Sequence, residues 1–194
     1  MLSRRPALSF LSLLLLVVAI AGCGQGPGNR PTASAPNEGP YVTTGGLRYQ
    51  VQMSRVLNPF DAEDKDYLIG INHPIEAVGH GKTVWFGVFI RVEHHFNNGP
   101  QVAAFYQHFL LTDTEGHHLA PTPLPPTNVY GYRSTILSSS NNVLPNPDST
   151  AAAGPIGGAL LLFRVNQLWL ENRPVKLIIF PPNGGHTANV TLDI

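Results

Sequence analysis

Apolar residues recur at every second position along several stretches of this chain, a period typical of β-strands with one buried face. The clearest stretch runs from Thr83 to Phe96, and its apolar face consists of Val84, Phe86, Val88, Ile90, Val92, His94 and Phe96. The opposite face is mixed, and the bulky Trp85 near its start indicates partial cover at that end. We therefore predict a long strand with one core face and a second face that is covered near Trp85.

Shorter stretches repeat this alternation, and turn residues separate them. Three more rows of inward positions are predicted: Leu47, Tyr49, Val51 and Met53; Val175, Leu177 and Ile179; and Ala188, Val190, Leu192 and Ile194. Strands are also predicted over Phe105–Thr112 and Gly158–Val165, with weaker candidates over Tyr67–Asn72 and Tyr130–Leu137. Gln167–Glu171 fits a single helical turn.

Seven or eight short strands joined by turns predict an all-β, immunoglobulin-like sandwich of two sheets. A closed barrel is the alternative. The composition agrees, because 19 glycines, 18 prolines and only 12% charged residues favour a turn-rich β domain over a helical one. Cys23 is the single cysteine, so no disulfide can form within the chain and the core must hold by packing.

The first residues of the chain have a different pattern. Arg4 and Arg5 precede an apolar run from Leu8 to Ala21, and small residues lead into Cys23. This order resembles bacterial lipoprotein signals, so 1–22 is predicted to be a signal peptide and Cys23 the site of lipid attachment. The alternatives are a retained membrane helix, for which the run falls short of about 20 residues, and an ordinary thiol in an uncleaved leader.

Residues 23–40 are rich in Gly, Pro, Asn, Ser and Thr, a composition that cannot bury enough surface to offset the entropy of ordering. We predict a lipidated cysteine followed by a flexible tether over 23–40 and a β-sandwich domain over 41–194. Fatty acyl chains such as palmitate would hold the protein on the membrane, since two chains give stable anchoring. The expected location is therefore extracytoplasmic, at the cell membrane.

Four motifs along the strands resemble a known family: Gly81-Lys82 before the strand Val84–Val92, Phe109–Asp113 before Gly116, the strand Gly158–Val165, and Leu177–Phe180 before the last strand. They are similar to the telokin-like, immunoglobulin-like domain of bacterial cell-surface lipoproteins, a family of unknown function. The resemblance covers roughly residues 47–194. It implies an extracytoplasmic sandwich and supplies no catalytic residues. Pro121–Pro126, Ser138–Pro155 and two histidine doublets depart from the family pattern.

The eight histidines are the candidate metal ligands, because neutral imidazole binds zinc and copper. Neighbours on a strand point to opposite faces, so a doublet cannot chelate one ion by itself. A site would need His94 or His95 to meet His117 or His118 across strands. The alternative is that these are surface or strand-end histidines, and no metal ligand is assigned.

Other chemistry has weaker signals. The acidic segment Asp61–Asp66 could bind calcium but lacks the spacing of a helix–loop–helix site, and a solvated turn is the alternative. Glu93 and Glu171 could act as paired acids, yet nothing in the sequence brings them together. No Gly-x-Ser-x-Gly elbow occurs. We therefore expect no enzyme activity, no catalytic residues and no cofactor.

The remaining candidates concern recognition. Aromatic residues can anchor a partner or complete the core; they are Trp85, Phe89, Phe105, Tyr106, Tyr130, Tyr132 and Trp169. The loops Pro121–Tyr130 and Ser138–Pro155 are long for a sandwich, and long loops on a rigid scaffold often carry recognition. With 12 basic and 12 acidic residues and no basic stripe, nucleic acid is not an expected partner. The predicted function is non-enzymatic binding of an envelope protein, a glycan or a small ligand, with a His-based zinc or copper lipoprotein using His95, His117 and His118 as the alternative.

Overall fold

The computed structural model describes residues 33–71, 83–138 and 142–194. Within these residues the chain forms the strands β1 (Ala33–Ala35), β2 (Tyr41–Thr44), β3 (Leu47–Leu57), β4 (Thr83–Glu93), β5 (Gln101–Val102), β6 (Phe109–Thr112), β7 (His118–Leu119), β8 (Ile136–Leu137), β9 (Val143–Leu144), β10 (Ala159–Asn166), β11 (Lys176–Ile179) and β12 (Ala188–Thr191). Two short helices, α1 (Asp64–Tyr67) and α2 (Thr150–Ala153), and two 3₁₀ turns, Tyr106–His108 and Gln167–Glu171, complete it. Seven of the described strands have four or more residues, which agrees with the predicted number.

Two sheets pack face to face and make an all-β sandwich, as the alternation predicts. One sheet has the order β1-β12-β11-β6-β7, and the other has the order β10-β4-β3-β2 with β9 beside β4. The neighbours within each sheet are antiparallel except for β1 and β12. Tyr49 and Phe109 meet across the two sheets with ring centroids 6.4 Å apart. The core therefore lies between the layers and needs no disulfide.

Strand β4 separates two hydrophobic clusters. Its even-numbered residues from Val84 to Val92 lie in the main core between the sheets. On its other face, Trp85 and Phe89 belong to a second cluster with Leu57, Tyr67, Leu160 and Leu162. The predicted cover at the Trp85 end is therefore confirmed. It is supplied by the segment after β3 and by the long connection before β10, which lie over the outer face of this sheet.

A β-bulge changes the predicted facing of β3. Val51 pairs with Ile90 and Met53 pairs with Phe89, so Gln52 is the extra residue. Because side chains alternate with a period of two, one extra residue moves every later side chain to the other face. Met53 is 41% exposed, and Ser54 is 6% exposed. The prediction that Met53 continues the inner row is therefore wrong.

Part of the segment that we predicted to be a tether is paired in a sheet. Ala33–Ala35 forms β1 parallel to β12, and Glu38 accepts hydrogen bonds from Ser54 and from the backbone N–H of Asp193. Strand pairing at the sheet edge orders residues that their composition alone would leave unordered. The predicted signal peptide over 1–22 and Cys23 lie outside the described residues. No helix in the described part of the chain is both long and apolar enough to cross a bilayer.

Three local predictions differ from the structure. The weak strand predicted over Tyr67–Asn72 is absent from the described residues up to 71, where α1 and a turn occupy 64–70. Only 136–137 of the weak strand over Tyr130–Leu137 pairs as a strand. Of Phe105–Thr112, the first part is a 3₁₀ turn and only 109–112 is a strand. The helical turn predicted over Gln167–Glu171 is confirmed as 3₁₀.

The two ends of the sandwich differ in the loops that form them. The turn at 45–46 lies against loops 94–100 and 180–186. An added Cβ would lie 2.7 Å from Pro181 at Gly45 and 2.7 Å from Asn98 at Gly46. The Thr44 hydroxyl donates to the His186 carbonyl, and β1 begins beside this group. We call it the proximal end. At the opposite, distal end lie the hairpin 113–117 and the segment 167–172.

The long connection before β10 covers the open edge of that strand. Thr122 N–H donates to Leu162 O at 2.6 Å, and Tyr132 N–H donates to Leu160 O at 2.8 Å. Leu160 N–H in turn donates to Tyr130 O at 2.8 Å. Prolines nearby cannot continue a strand. This arrangement protects the edge from pairing with another chain, and it also shapes the surface described next.

Candidate functional site

Two grooves flank the extended segment 131–135, which lies against the edge of β10. Residues on one side of this segment, Tyr132 and Ser134, line a groove of about 440 Å³. Residues on the other side, Gly131 and Thr135, line a second groove of about 450 Å³. Alternate residues of an extended segment point to opposite sides, so one short segment serves both grooves. Arg133 lines both of them.

The groove beside Tyr132 is mainly apolar, and we call it the apolar groove. Its walls are aromatic, aliphatic and proline residues, namely Phe105, Tyr106, Pro121, Pro123, Leu124 and Pro126, and its floor is formed by Leu160–Leu162. Phe105 is 46% exposed despite its size. The volume of the apolar groove lies in the range of about 300–1,000 Å³ that small-molecule sites have.

The groove beside Thr135 carries more polar groups, and we call it the polar groove. Asn142, Asn146, Ser149 and Thr135 line it together with several aliphatic residues. The Asn146 carbonyl accepts the Ser149 hydroxyl at 2.6 Å, and this turn leads into α2. The polar groove therefore offers amide and hydroxyl groups but no carboxylate among its described lining residues.

Two buried tyrosines hold the base of the segment in place. The Tyr132 hydroxyl donates to Ala104 O at 2.6 Å, and Ala104 N–H donates to the Tyr49 hydroxyl at 2.9 Å. The backbone N–H and C=O of the fully buried Ala104 are thereby both hydrogen-bonded, as buried polar groups usually are. Burial raises the pKa of the Tyr49 phenol to about 12 and raises that of Tyr132 as well. Both rings stay neutral at physiological pH.

Arg133 is held between the grooves by backbone contacts. Its Nη2 donates to Pro125 O at 2.6 Å, and its Nη1 donates to Tyr132 O at 3.1 Å. The guanidinium folds over Gly131, where an added Cβ would lie 2.9 Å from Nη1. Within the described part of the chain, no carboxylate forms a salt bridge with Arg133.

A second candidate lies at the distal end, in the hairpin between β6 and β7. Asp113 Oδ1 accepts the backbone N–H groups of Glu115 and His117, at 3.0 and 2.9 Å. Its Oδ2 lies 2.7 Å from His117 Nδ1 and accepts Asn172 Nδ2 at 3.1 Å. Burial would raise the pKa of Asp113, but the hydrogen bonds from His117 and Asn172 outweigh it and hold that pKa well below its usual range.

The hairpin also has the donor atoms of a cation site. One donor atom each from Asp113, Glu115 and His117 lies within 4.8 Å of the others. Trp169 stacks on the His117 ring at 4.8 Å between centroids. However, Asp113 is already satisfied by protein donors, so a cation would have to replace the proton between Asp113 and His117. As it stands, this group of hydrogen bonds locks the hairpin.

The structure separates the two histidine doublets. His94 and His95 follow the last residue of β4, at the proximal end. His117 lies in the distal hairpin, where Asn172 donates to Asp113. Asn172 follows β10, whose last residue, Asn166, pairs with Thr83 at the start of β4. The hairpin therefore lies at the end of the sandwich where β4 begins. The meeting of the doublets that a shared metal site would require is therefore not observed. The reason is that β4 spans about 33 Å between them, given about 3.3 Å per residue.

The other residues considered from the sequence have structural partners. Glu93 forms salt bridges with Arg48 and Arg91 at 2.7 and 3.0 Å, while Glu171 lies near the distal end. The two acids are thus not paired. In the acidic segment, Asp64 is buried, pairs with Arg55 and accepts the Asn58 N–H at 2.8 Å. The prediction of a solvated turn is therefore wrong for Asp64, because this carboxylate is buried and bonds to residues at the end of β3 and just after it.

The aromatic candidates divide between core and groove. Trp85 and Phe89 are buried in the second cluster, and Tyr130 packs against it. Phe105, Tyr106 and Tyr132 line the apolar groove. These three are among the aromatic candidates predicted from the sequence, whereas Arg133 is not predicted. Its only signal in the sequence is that it is the one basic residue in a long stretch of prolines, threonines and aliphatic residues from 119 to 163.

Comparisons with known proteins add little to this geometry. No protein-family model and no curated protein matches the chain. A solved structure, that of the yjhA protein from Bacillus subtilis, is 11% identical, covers 82% of this chain and 100% of its own, and superposes with a TM-score of 0.48. This likeness is too low to inform the fold or the function of this chain.

Proposed function

We propose that this protein is a lipid-anchored, extracytoplasmic binding module without enzyme activity, held at the cell membrane through acyl chains on Cys23. The observation that carries the binding function is the pair of grooves that long loops build over a rigid sandwich. Pockets with a few convergent polar groups are the usual places for ligands. Anchoring would raise the local concentration of the module near other envelope components, so modest affinity would suffice.

The anchor is supported by the leader and by the short distance along the chain from Cys23 to β1. Cys23 follows an apolar run and small residues, and Ala33 is already paired in β1. Ten residue steps between them could span at most about 36 Å. The sandwich would thus be held close to the bilayer, with an envelope protein, a glycan or a small ligand as the expected partner and no role for nucleic acid.

The anchor is tested by growing cells with an alkyne-labelled fatty acid and comparing the native chain with Cys23→Ala. We expect label on the native protein, recovery in the membrane fraction, and loss of both in the variant. Ser34→Ala is a matched control, because it changes a small residue beyond the predicted attachment site. Recovery of unlabelled native protein from the cytoplasm would contradict the proposal.

A second candidate function is metal binding, which the close donor atoms of Asp113, Glu115 and His117 favour. It is tested by titrating the metal-free protein with Zn²⁺ and Cu²⁺ in a calorimeter. His118 is the neighbouring residue outside this group, so His118→Ala is the control for His117→Ala. Binding that only His117→Ala abolishes would support this function, and absence of heat with both ions would eliminate it.

A further inference from the structure

The charge on the described lining of the two grooves has one sign only. Arg133 is the only charged residue among the described residues that line either groove, and it lines both. Among the described residues Arg133 has no salt-bridge partner, so its positive charge at the junction of two concave surfaces is not neutralised by direct pairing there. Such a site attracts an anion and disfavours a cation.

Arg133 is exposed, and backbone hydrogen bonds orient its guanidinium in the structure without a ligand. Two backbone carbonyls, those of Pro125 and Tyr132, accept from its two terminal nitrogens, and Gly131 leaves the space in which it lies. A guanidinium has five N–H donors, so donors remain for a ligand. A held arginine loses little entropy on binding, which favours planar anions such as carboxylates.

The shape beside Arg133 indicates what the anion is attached to. The apolar groove has aromatic and proline walls, and its volume exceeds what a free carboxylate or phosphate needs. An inorganic anion would leave the apolar surface of this groove exposed to water. A hydrocarbon chain that lies in the groove would bury both its own apolar surface and that of the groove. The polar groove on the other side leaves room for a hydrated part of the ligand.

We propose that Arg133 is the anion subsite of a binding site for a carboxylate amphiphile, whose hydrocarbon part lies in the apolar groove. This inference deepens the proposed binding function and rests on it for the biological setting. The ligand class follows from an apolar cavity beside one cation, with no carboxylate among the described residues that line the two grooves. The residues that we expect to carry it are Arg133, Phe105, Leu124 and Tyr132.

The experiment measures the thermal unfolding midpoint of the full chain, purified from cells and followed by tryptophan fluorescence, with increasing sodium octanoate below its micelle concentration. Acetate tests the anion without the hydrocarbon, and octylammonium tests the hydrocarbon with the opposite charge. Ligands that bind only the folded state raise the midpoint. We expect octanoate to raise it more than either of the other probes.

Variants assign the effect to the site. Arg133→Gln should weaken apparent octanoate affinity about tenfold or more, which is the size expected for a charge-assisted hydrogen bond. Arg164→Gln is the matched control, because Arg164 is exposed on β10 and lines neither groove. Phe105→Ala should weaken octanoate while leaving any acetate response unchanged. Gly131→Ala should displace the guanidinium and act like Arg133→Gln.

The inference is overturned if octanoate gives no shift, if octylammonium gives an equal shift, or if Arg133→Gln retains the native affinity. Should Arg133→Gln unfold, Gly131→Ala provides the same comparison without removing the charge. Failure of the lipid anchor would leave this result unaffected, because the measurement needs only the purified chain, in nanodiscs of phosphatidylcholine if it is acylated and in buffer if it is not.

Discussion

Single side chains in this protein often satisfy several partners at once, and Asp113 is the clearest case. Its two oxygens accept two backbone N–H groups and an Asn172 amide, and Oδ2 lies 2.7 Å from a ring nitrogen of His117. Each is a hydrogen bond to a charged acceptor, which is stronger than one between neutral groups. The distal hairpin therefore depends on the ionised form of one carboxylate.

We expect Asp113→Asn to lower the free energy of unfolding by about 1–3 kcal/mol at neutral pH. The folded-state pKa of Asp113 lies below its unfolded value of about 3.9. Its contribution is therefore complete above that pH and is lost as pH falls through the folded pKa, because the unfolded chain takes up the proton first. Urea unfolding between pH 2 and 7 should show the two proteins converging at low pH.

The control for this prediction is Glu115→Gln in the same hairpin. The Glu115 side chain is 62% exposed and lies 3.9 Å from His117, so its charge contributes little to folding. The free energies of unfolding of the native chain and of this variant should differ by a nearly constant amount across the pH range. A difference between native and Asp113→Asn that is constant with pH would contradict the role of the ionised carboxylate.

Gly87 is a second position where one residue decides the packing. It lies on the outer face of β4, and an added Cβ would lie 3.1 Å from a methyl of Leu57, 3.1 Å from one of Leu160 and 3.2 Å from the Phe89 ring. We expect Gly87→Ala to overpack the second cluster and cost about 1–3 kcal/mol. Urea unfolding monitored at Trp85 would measure it.

A compensating change makes the packing explanation specific. Leu57→Val removes one of the methyl groups that the new Cβ would meet, so the double variant should be less destabilised than the sum of the two single variants. Additive losses would indicate that Gly87→Ala acts through the backbone instead. An unchanged unfolding midpoint in the single variant would show that the cluster has spare room.

At the scale of elements, alternation in the sequence predicts the strands that have continuous apolar rows. β4, β10, β11 and β12 all follow such rows, because each has a face in the main core. The bulge at Gln52 could not be predicted, since nothing in the residues before Leu57 marks where the row changes faces. β1 was missed because its pairing depends on β12, whose Ala188 pairs with Ala33 from 155 residues further along the chain.

The bulge gives an unusual expectation for a deletion. Without Gln52, Val51 and Met53 become neighbours that pair with Ile90 and Phe89, which are already adjacent in β4. We therefore expect deletion of Gln52 to keep every later pairing and to cost no more than about 2 kcal/mol, a common range for single changes. Circular dichroism and urea unfolding would measure it.

Deletion of Gln50 is the control, since that residue pairs regularly with Arg91. Removing it would leave Val51 and Gln52 opposite Arg91 and Ile90, so Gln52 would take the buried place of Val51 and Val51 would turn to the other face. Burial of an amide without partners is costly, so we expect that variant to be clearly less stable than the chain without Gln52. Equal stability of the two deletions would contradict the assignment of Gln52 as the extra residue.

At the scale of the whole molecule, the sequence predicts the sandwich but not the site. Phe105, Tyr106 and Tyr132 are candidates from the sequence because aromatic side chains either anchor a partner or complete the core. Their joint position with Arg133 depends on how the connection before β10 lies along the edge of that strand. Those contacts are made by backbone groups, such as Thr122 N–H to Leu162 O, and backbone hydrogen bonds do not depend on side-chain identity.

The sandwich also has a direction relative to the proposed anchor. β1 begins at the proximal end, which is formed by the turn at 45–46 and the loops 94–100 and 180–186. These three segments contain no Asp or Glu, so their approach to an anionic bilayer meets no repulsion from carboxylates of their own. The distal hairpin with Asp113 and Glu115 lies at the other end of the sandwich, about 33 Å away along β4.

If Cys23 carries the anchor, the proximal end should face the membrane. Acylated Cys23 leaves an introduced cysteine as the single free thiol, so Asn97→Cys and Thr114→Cys can each be labelled with a donor dye in vesicles that contain an acceptor lipid. Asn97 lies in the proximal loop 94–100 and Thr114 in the distal hairpin, and both are exposed. We expect clearly higher energy transfer from position 97. Equal transfer, or higher transfer from 114, would mean that the sandwich lies flat or is inverted on the membrane, while absence of transfer at both positions would mean that the chain is not held at the bilayer.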